Sequence, residues 1–343
     1  MAQGARLLSS TCSTDEIVRL YGPWQLLHKA RAVRPKDQVD FDVCAPLLDQ
    51  ESRTWLREAP ARGPPGSSLA ASARPQWGMI DPMTTRRGLF VAPFDALADP
   101  RVVGDLAAAA EAAGWDGFFV WDHLQYGDRV AEIADPWTCC AAVAMRTERL
   151  VFGPMVTPLA RRRPQVLARQ AACLAVLSGG RFVLGLGLGD DWVGEFGAFG
   201  DEQDPKVRGR MLDDGLEVLT ALLAGAPVDH VGDHYIAKDV RFLPAPAVPI
   251  WLAGRFGNRA PLRRATRHDG FFVIGLDQPD DLDAVTAGLA EHDPAPGFDV
   301  VVDLQPDQDV TPWLDRGASW VLTRIGPYDI DLDDVRRIVD AGP

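Results

Sequence analysis

From residue 83 onward, the sequence alternates short apolar runs with longer segments of helical periodicity, and eight such runs occur before residue 343. The runs are almost continuously apolar, which is typical of parallel strands buried on both faces. Eight strand–helix units in a segment of this length predict an α/β fold, the (β/α)8 TIM barrel. The predicted strands are 88–94, 117–122, 150–157, 181–187, 249–254, 270–275, 299–304 and 320–325.

Helical segments separate most of these runs, and proline near the start with glycine after the end marks several of them. The predicted helices are 99–113, 164–177, 205–224, 258–267, 279–289, 310–316 and 332–341. Residues 225–246 are too long for a simple connection and predict a small hairpin-like insertion.

A doubly wound open sheet is the alternative fold, and the glycines after the fourth run (GLGLG, 185–189) test it. A dinucleotide-binding turn requires Gly-x-Gly-x-x-Gly before a helix. Here the third glycine is replaced by Asp190 in one register and by Trp192 in the other. The fingerprint is absent, so the barrel is preferred. Glycines at a strand end either leave room for a flat ligand or permit tight packing inside the barrel.

Residues 1–82 differ in character, because they contain one amphipathic segment (15–30) and a Pro/Gly/Ser/Ala-rich run (59–78) of linker composition. They offer too few periodic apolar positions to bury a core. We therefore expect a poorly ordered extension, or a segment upstream of a true start at Met83, followed by one barrel domain at 83–343. A small regulatory or capping domain is the alternative.

The composition of the chain argues against some classes of binding partner. The net charge of −13 argues against nucleic acid and anionic membranes, which both attract basic patches. The five cysteines form no Cys-x-x-Cys pair, no signal peptide is recognisable, and no window is apolar enough to span a membrane. These features predict a cytoplasmic protein that acts on a small molecule.

Candidate chemistry lies where predicted strands end, since barrel active sites occupy the carboxyl ends of the strands. His123 follows the second strand and could transfer a proton or contact a cofactor, or could be a rim histidine bonded to Asp122. Glu195 follows the fourth strand and is either a general acid or a solvated loop carboxylate. No metal site is expected, because His230 and His234 lie in the insertion, off any helix.

The segment 253–257 (AGRFG) precedes a predicted helix and carries Arg255. Free backbone N–H groups and a guanidinium at this place suit a phosphate, although an ordinary surface turn would look the same.

Taken together, several stretches resemble the bacterial luciferase-like, flavin-dependent oxidoreductases. They are 109–124 (AAEAAGWDGFFVWDHL), 146–189, 195–200 (EFGAFG), 208–219 (RGRMLDDGLEVL), 235–246 and 249–272. The resemblance extends from Met83 to the C-terminus and excludes 1–82. It implies a TIM barrel that binds FMN, or the related deazaflavin coenzyme F420, at the strand ends. It also implies a non-proline cis peptide near Met155–Val156.

The resemblance assigns residues by position. The cofactor ring would lie near Ala92, Met155, Val156, Thr157 and Gly189, and its phosphate near Ala253, Gly254, Arg255, Phe256 and Gly257. His123 and Glu195 occupy places similar to the catalytic residues of deazaflavin-using relatives. Two departures matter. The segment 271–277 (FFVIGLD) lacks the Thr and Lys that hold a sugar phosphate, and Asp190–Asp191 precede Trp192, which leaves cofactor contacts there open.

Aromatic residues near the strand ends suggest an apolar or aromatic substrate, although the same rings could be core: Phe94, Trp121, Trp192, Phe199 and Phe272. The resemblance therefore implies an FMN-dependent monooxygenase acting on paired donors, with a separate flavin reductase or NAD(P)H as reductant and a homodimer as a family expectation. An F420-dependent hydride-transfer oxidoreductase and a non-catalytic flavin-binding barrel are the alternatives.

Overall fold

The structure, a computed structural model, describes residues 85–343. The predicted boundary at residue 82, the segment 15–30 and both interpretations of the N-terminal part lie outside the described residues.

Each of the eight predicted apolar runs contains a strand, and the predicted insertion contains two more. The strands are β1 (Arg86–Val91), β2 (Gly117–Val120), β3 (Val151–Pro154), β4 (Thr157–Pro158), β5 (Leu184–Gly187), β6 (Val228–Val231), β7 (Ile236–Val240), β8 (Ile250–Arg255), β9 (Gly270–Ile274), β10 (Asp299–Leu304) and β11 (Trp320–Ile325). The third predicted run is divided into β3 and β4 by a cis peptide bond between Met155 and Val156, where the resemblance placed one.

Nine of the strands form one parallel sheet in the order β3-β2-β1-β11-β10-β9-β8-β5-β4. Because β3 and β4 are consecutive pieces of one strand, the two ends of this order meet. A parallel bridge between Phe152 and Phe182 joins β3 to the chain entering β5. The sheet therefore closes into a barrel with eight strand positions, and the predicted TIM barrel is confirmed. β6 and β7 pair antiparallel, as the expected hairpin-like insertion.

The helices are α1 (Pro100–Ala112), α2 (Pro136–Arg146), α3 (Pro164–Leu177), α4 (Pro205–Leu223), α5 (Arg259–Ala265), α6 (Asp281–Ala290), α7 (Thr311–Leu314) and α8 (Leu332–Ala341). The sequence analysis missed α2. Its start signal is present, since Asp135 accepts a hydrogen bond from Thr138 N and Pro136 occupies the first turn. Its Cys- and Ala-rich sequence concealed the helical period.

Alternation along each strand divides the apolar side chains into two layers. Trp320 and Leu322 of β11 belong to the cluster inside the barrel, whereas Val321 packs outward against the helices. The same period of two directs Arg324 inward, and on β10 it directs Asp303 inward after Val301. Two charged side chains thus face the carboxyl-end mouth of the barrel.

Close backbone approach explains two of the strand glycines. A Cβ on Gly153 would overlap the carbonyl oxygen of Val183, and one on Gly185 would overlap that of Pro154. At these positions the glycines allow neighbouring strands to lie side by side. Of the two explanations for the glycines of the fourth strand, packing therefore accounts for Gly185.

Replacing Gly153 by alanine should lower the free energy of unfolding by at least about 3 kcal/mol, because a rigid carbonyl must move. Gly209→Ala, in the second turn of α4, is the matched control, because its Cβ would lie 3.9 Å from the nearest neighbouring atom, Leu188 Cδ1. That control should gain about 0.5–1 kcal/mol from helix propensity. Urea unfolding of both variants measures the difference, and equal effects of the two substitutions would contradict the packing explanation.

A buried carboxyl group lies at the opposite, amino end of the barrel. Asp299 begins β10 and accepts a 2.8 Å hydrogen bond from Ser319 Oγ. Burial raises its pKa to about 6, and this rise is opposed by the Ser319 hydrogen bond and the charge of Arg86. The native state therefore holds this proton more tightly than the unfolded chain does. Stability from this group falls as pH rises from about 4 to 6, by about 3 kcal/mol in total.

Asp299→Asn removes this dependence and keeps an acceptor for Ser319. The free energy of unfolding of the variant, relative to the parent chain, should rise by about 2–3 kcal/mol between pH 4 and pH 6.5 and stay constant above that. Urea titrations at several pH values measure it. The exposed Asp307→Asn serves as the control, and a parallel pH dependence in parent and variant would contradict the assignment.

Candidate active site

The two predicted catalytic residues lie in contact at the barrel mouth. His123, three residues after β2, places Nδ1 2.8 Å from Oε2 of Glu195, which lies in the loop after β5. The Glu195 side chain is 3% exposed and that of His123 is 24% exposed. Glu195 is therefore not the solvated loop carboxylate of the alternative interpretation. No hydrogen bond from the described part of the chain reaches Nε2 of His123.

Arg161 holds this pair in place. Its Nη1 donates to Glu195 Oε1 at 2.6 Å, and its Nη2 donates to the backbone oxygen and to Oδ1 of Asp122, both at 2.8 Å. Leu124 N also donates to Glu195 Oε1 at 2.6 Å. Because Arg161 ends the short 3-10 helix Leu159–Arg161 after β4, one guanidinium connects the ends of three strand positions.

Asp122 is the second carboxylate of this network, and its side chain is fully buried. Oδ2 accepts a hydrogen bond from Thr157 Oγ1 at 2.6 Å, one from Trp137 Nε1 at 3.3 Å and one from Arg162 Nη2 at 3.1 Å. A buried carboxylate needs such donors to compensate for lost hydration. Asp122 does not bond to His123, as the rim-histidine interpretation required; it bonds to the arginines.

The electrostatics favour an ionised Glu195. Burial alone would raise the pKa of its carboxyl, but the hydrogen bond and charge of His123, the Leu124 N–H and Arg161 together hold it below its ordinary value. An ionised carboxylate can only accept hydrogen bonds, so His123 Nδ1 carries the hydrogen of their contact. This environment suits a group that orients His123 rather than the general acid considered from sequence.

The loop that carries Glu195 is anchored beside it. Phe196 is fully buried, and the Arg208 guanidinium lies 4.3 Å from its ring centroid. Asp191 Oδ1 accepts hydrogen bonds from Phe196 N at 2.7 Å and Gly197 N at 3.2 Å. Asp190 and Asp191 therefore shape this loop, while Trp192 remains 58% exposed.

Val156, which was predicted to contact the cofactor ring, lies beside the strand glycine Gly187 and beside Ala253, which was predicted for the phosphate. A Cβ on Gly187 would lie 2.6 Å from Val156 Cγ2 and 3.7 Å from Ala253 Cβ, so these three residues are adjacent at the mouth. Ala92 is buried after β1, and Met155 is buried at the cis peptide. They provide a surface of small side chains and backbone on the β4, β5 and β8 side.

Two further members of the predicted set have definite structural roles. Thr157 is fully buried and its hydroxyl is already donated to Asp122. Gly189 adopts φ 71°, and its missing Cβ leaves room for the Phe196 ring and Pro158. Both shape the site through these contacts.

The predicted phosphate segment ends β8 and leads to α5. Ala253, Gly254 and Arg255 belong to β8, Phe256 N donates to Ile274 O at 2.8 Å, and Gly257 has φ 82°. The Arg255 side chain is 67% exposed and lies 3.5 Å from Asp190 Oδ2. The segment is accessible, but α5 has only seven residues. Arg255 is thus the most direct ligand for an anion here.

Aromatic rings lie beneath and around the mouth: Phe90 and Phe272 are almost fully buried, and Trp121 and Tyr126 are half-buried. Phe90 lies 5.1 Å from Trp121 and 5.4 Å from Phe272 between ring centroids, and His123 lies 4.8 Å from Tyr126. Trp192 contacts the outer edge of Tyr126 at 5.2 Å. Of the rings predicted to line a substrate pocket, Phe94 is fully buried, whereas Phe199 is 61% exposed at the far end of the loop.

A family model described as luciferase-like monooxygenase matches residues 79–306, about two thirds of the chain. The chain belongs to the luciferase-like monooxygenase family. A curated relative from Beutenbergia cavernae, named F420-dependent glucose-6-phosphate dehydrogenase, is 30% identical over 261 residues, which cover 71% of this chain and 77% of the relative. A protein of Mycobacterium tuberculosis without assigned function is 31% identical over 210 residues, 56% of this chain and 72% of its own.

Solved structures of low sequence identity share the luciferase-like fold. The F420-dependent tetrahydromethanopterin reductase of Methanopyrus kandleri superimposes with a TM-score of 0.59 at 16% identity, covering 75% of this chain and 97% of its own. A monooxygenase from Streptomyces bottropensis gives a TM-score of 0.62 at 18% identity, covering 74% and 96%. These similar proteins include ones named F420-dependent and one whose structure was solved in complex with FMN.

The luciferase-like site contains residues that the sequence analysis did not select. Arg161 and Arg162 were visible as part of a run of arginines directly after the third predicted strand, and Asp122 precedes His123. The sequence therefore contained a signal for these residues, because two basic residues and one acidic residue follow strands whose ends lie at the same mouth of the barrel. Trp137 could not have been found, because it lies on the helix that was missed.

Within residues 85–343 of this luciferase-like chain, no cluster of His, Cys, Asp and Glu side chains is arranged to hold a metal ion. None of the described helices combines the length and the apolarity needed to cross a membrane.

Proposed function

We propose that this protein is an oxidoreductase that uses coenzyme F420 to exchange a hydride with an apolar small molecule, and that His123 carries the accompanying proton. The observation that supports this proposal is the contact of His123 with Glu195, which Arg161 holds in a buried ion network. A histidine oriented on one nitrogen, with the other nitrogen free at the mouth, suits proton transfer beside a hydride carrier.

The residues at the mouth fit a flat ring system. Val156 packs closely on Gly187 beside Ala253, so this side of the mouth is a surface of backbone and small side chains. Arg255 would bind the phosphate of the cofactor by its exposed guanidinium. When bound, the deazaflavin supplies a two-electron carrier that accepts or releases a hydride.

The roles of the protein groups follow from their contacts. Glu195, ionised and held by Arg161, fixes the imidazole ring so that Nδ1 stays protonated. His123 Nε2 then accepts a proton when the ring is neutral and donates one when the ring is charged. Phe90, Trp121 and Phe272 exclude water from the mouth, which strengthens these interactions.

A sugar phosphate is not the proposed substrate, although relatives carry that activity in their names. After β9 this chain reads Ile274 to Asp277 (IGLD), without a lysine or arginine to bind a phosphate dianion. An apolar substrate agrees better with the aromatic walls.

An FMN-dependent monooxygenase with a separate flavin reductase is the second candidate function. The aromatic lining supports it, since oxygen chemistry on a flavin also requires a pocket that excludes water. A homodimer in the cytoplasm remains part of the proposal for either function.

Titrating the full chain with F420 and with FMN, followed by cofactor absorbance and fluorescence, distinguishes these functions. F420 binding at least about 10-fold tighter than FMN, equivalent to 1.4 kcal/mol, is expected for the first proposal. The reverse preference, with reduced cofactor consumed by oxygen, would favour the monooxygenase. Binding of neither cofactor by folded protein would refute both.

A further inference from the structure

The wall of the mouth formed by β10 and β11 carries a charged pair outside the His123 network. Arg324 donates from Nε to Oδ2 of Asp303, and its Nη2 lies against the same oxygen. Asp303 is almost fully buried, whereas Arg324 is 34% exposed. No other acceptor in residues 85–343 bonds this guanidinium, so its outer edge faces the mouth.

Arg324 stands next to the apolar part of the mouth. It is the register partner of Phe90 across the β1–β11 pair, and Phe90 contacts both Trp121 and Phe272. A ligand resting on these rings would therefore have a guanidinium at its edge.

Tyr126, next to His123, provides a second hydrogen-bond donor that lies within the electrostatic influence of Arg324. Its ring lies 4.8 Å from that of His123. Burial and the neighbouring Tyr328 raise the pKa of the Tyr126 hydroxyl, while the positive charge of Arg324 acts in the opposite direction. The hydroxyl stays protonated at neutral pH and can donate a hydrogen bond.

The charges at the mouth are balanced. Arg161 pairs with Asp122 and Glu195, and Arg255 pairs with Asp190. Because Asp303 neutralises Arg324, a negatively charged ligand at this wall would meet no excess positive charge, whereas the 67% exposed Arg255 remains able to bind an anion on the other side of the mouth. An uncharged oxygen acceptor gains hydrogen bonds without that penalty.

We propose that Arg324, held by Asp303, and the hydroxyl of Tyr126 bind the carbonyl or hydroxyl oxygen of an uncharged substrate whose apolar ring contacts Phe90. This proposal rests on the function proposed above, because it takes the mouth as the active site. It defines the substrate class as apolar ketones or alcohols and excludes carboxylates and phosphates. Arg324 and Tyr126 are then the residues that determine specificity.

Three probes of similar size test it on the full chain without cofactor: acetophenone, ethylbenzene and benzoate, with dissociation constants from ligand-observed NMR. The parent chain should bind acetophenone at least about 10-fold more tightly than ethylbenzene, since a hydrogen bond to a charged donor contributes about 1.5–3 kcal/mol. It should also bind acetophenone more tightly than benzoate. Because no cofactor is present, failure of the F420 proposal leaves this result intact, and the reverse also holds.

The double variant Asp303→Asn/Arg324→Met removes both charges, so that no carboxylate is left buried without a partner. Its acetophenone-to-ethylbenzene preference should fall several-fold, to what the Tyr126 hydroxyl alone supports, while ethylbenzene binding stays unchanged. Arg263→Met, an exposed arginine on α5, is the control and should retain the parent preference. A preference that survives the double variant, tighter binding of benzoate, or no binding of any probe would overturn the proposal.

Discussion

Replacing Arg161 by methionine should lower the free energy of unfolding by about 3–5 kcal/mol. The reason is the position of its guanidinium between two buried carboxylates, Asp122 and Glu195, which are 0% and 3% exposed. Without Arg161, the two carboxylates keep only their other hydrogen-bond donors, and of the two only Asp122 still pairs with an arginine, Arg162. Urea unfolding, followed by circular dichroism, measures the loss.

The neighbouring Arg162 is a matched control for this effect. Its guanidinium pairs with one carboxylate, Asp122, at 3.1 Å and lies 5.5 Å from the Trp137 ring centroid, and its side chain is 21% exposed. Arg162→Met should therefore cost only about 1 kcal/mol, because water still screens the contact. Losses of equal size in the two variants would show that Arg161 does not hold the network in the way described.

Replacing His123 by asparagine should reduce turnover by about 100-fold to 10,000-fold while F420 binding changes little. Asparagine keeps a donor near Glu195 but cannot hold a proton at the position of Nε2. With 1-phenylethanol as the probe substrate, the proposed oxidation to acetophenone would transfer one hydride to F420 and one proton to His123. The rate of F420 reduction at saturating cofactor, observed by absorbance, measures this step.

His292→Asn, an exposed histidine just after α6, serves as the control and should keep the parent rate. Glu195→Gln should lower the rate less than His123→Asn does, because it removes the orienting charge and leaves the imidazole. Rescue of His123→Asn by added imidazole would further support a proton carrier. Unchanged turnover in both His123→Asn and Glu195→Gln would contradict these catalytic roles and favour a barrel that only binds its ligand.

The barrel could be predicted because each of its strand positions has a recognisable apolar pattern in the local sequence. Runs such as 299–304 and 320–325 are apolar enough to require burial on both faces, and they match β10 and β11 residue for residue. The helix α2 was missed because alanine and cysteine give little contrast between its two faces. The division of β3 from β4 came only from the family resemblance.

The site was predictable in part. His123 and Glu195 could be placed at the same mouth because both follow barrel strands. Their contact, and the role of Arg161, depend on how loops separated by 34 and 72 positions in the chain fold over that mouth. Side-chain distances of this kind are not contained in local periodicity. The inward direction of Asp303 and Arg324 could have been derived from alternation along their strands, but their pairing required the structure.

The loop after β5 is held by side-chain contacts at its centre, whereas residues on both sides of that centre are exposed to solvent. Glu195 and Phe196 are held by Arg161 and Arg208, whereas Trp192 and Phe199, three residues away on either side, are exposed. Mutational libraries at these two outer positions should therefore alter which molecules are accepted without disturbing the contact of Glu195 with His123. In directed evolution, substitutions in this loop can therefore be selected for a new substrate range with little loss in the free energy of unfolding.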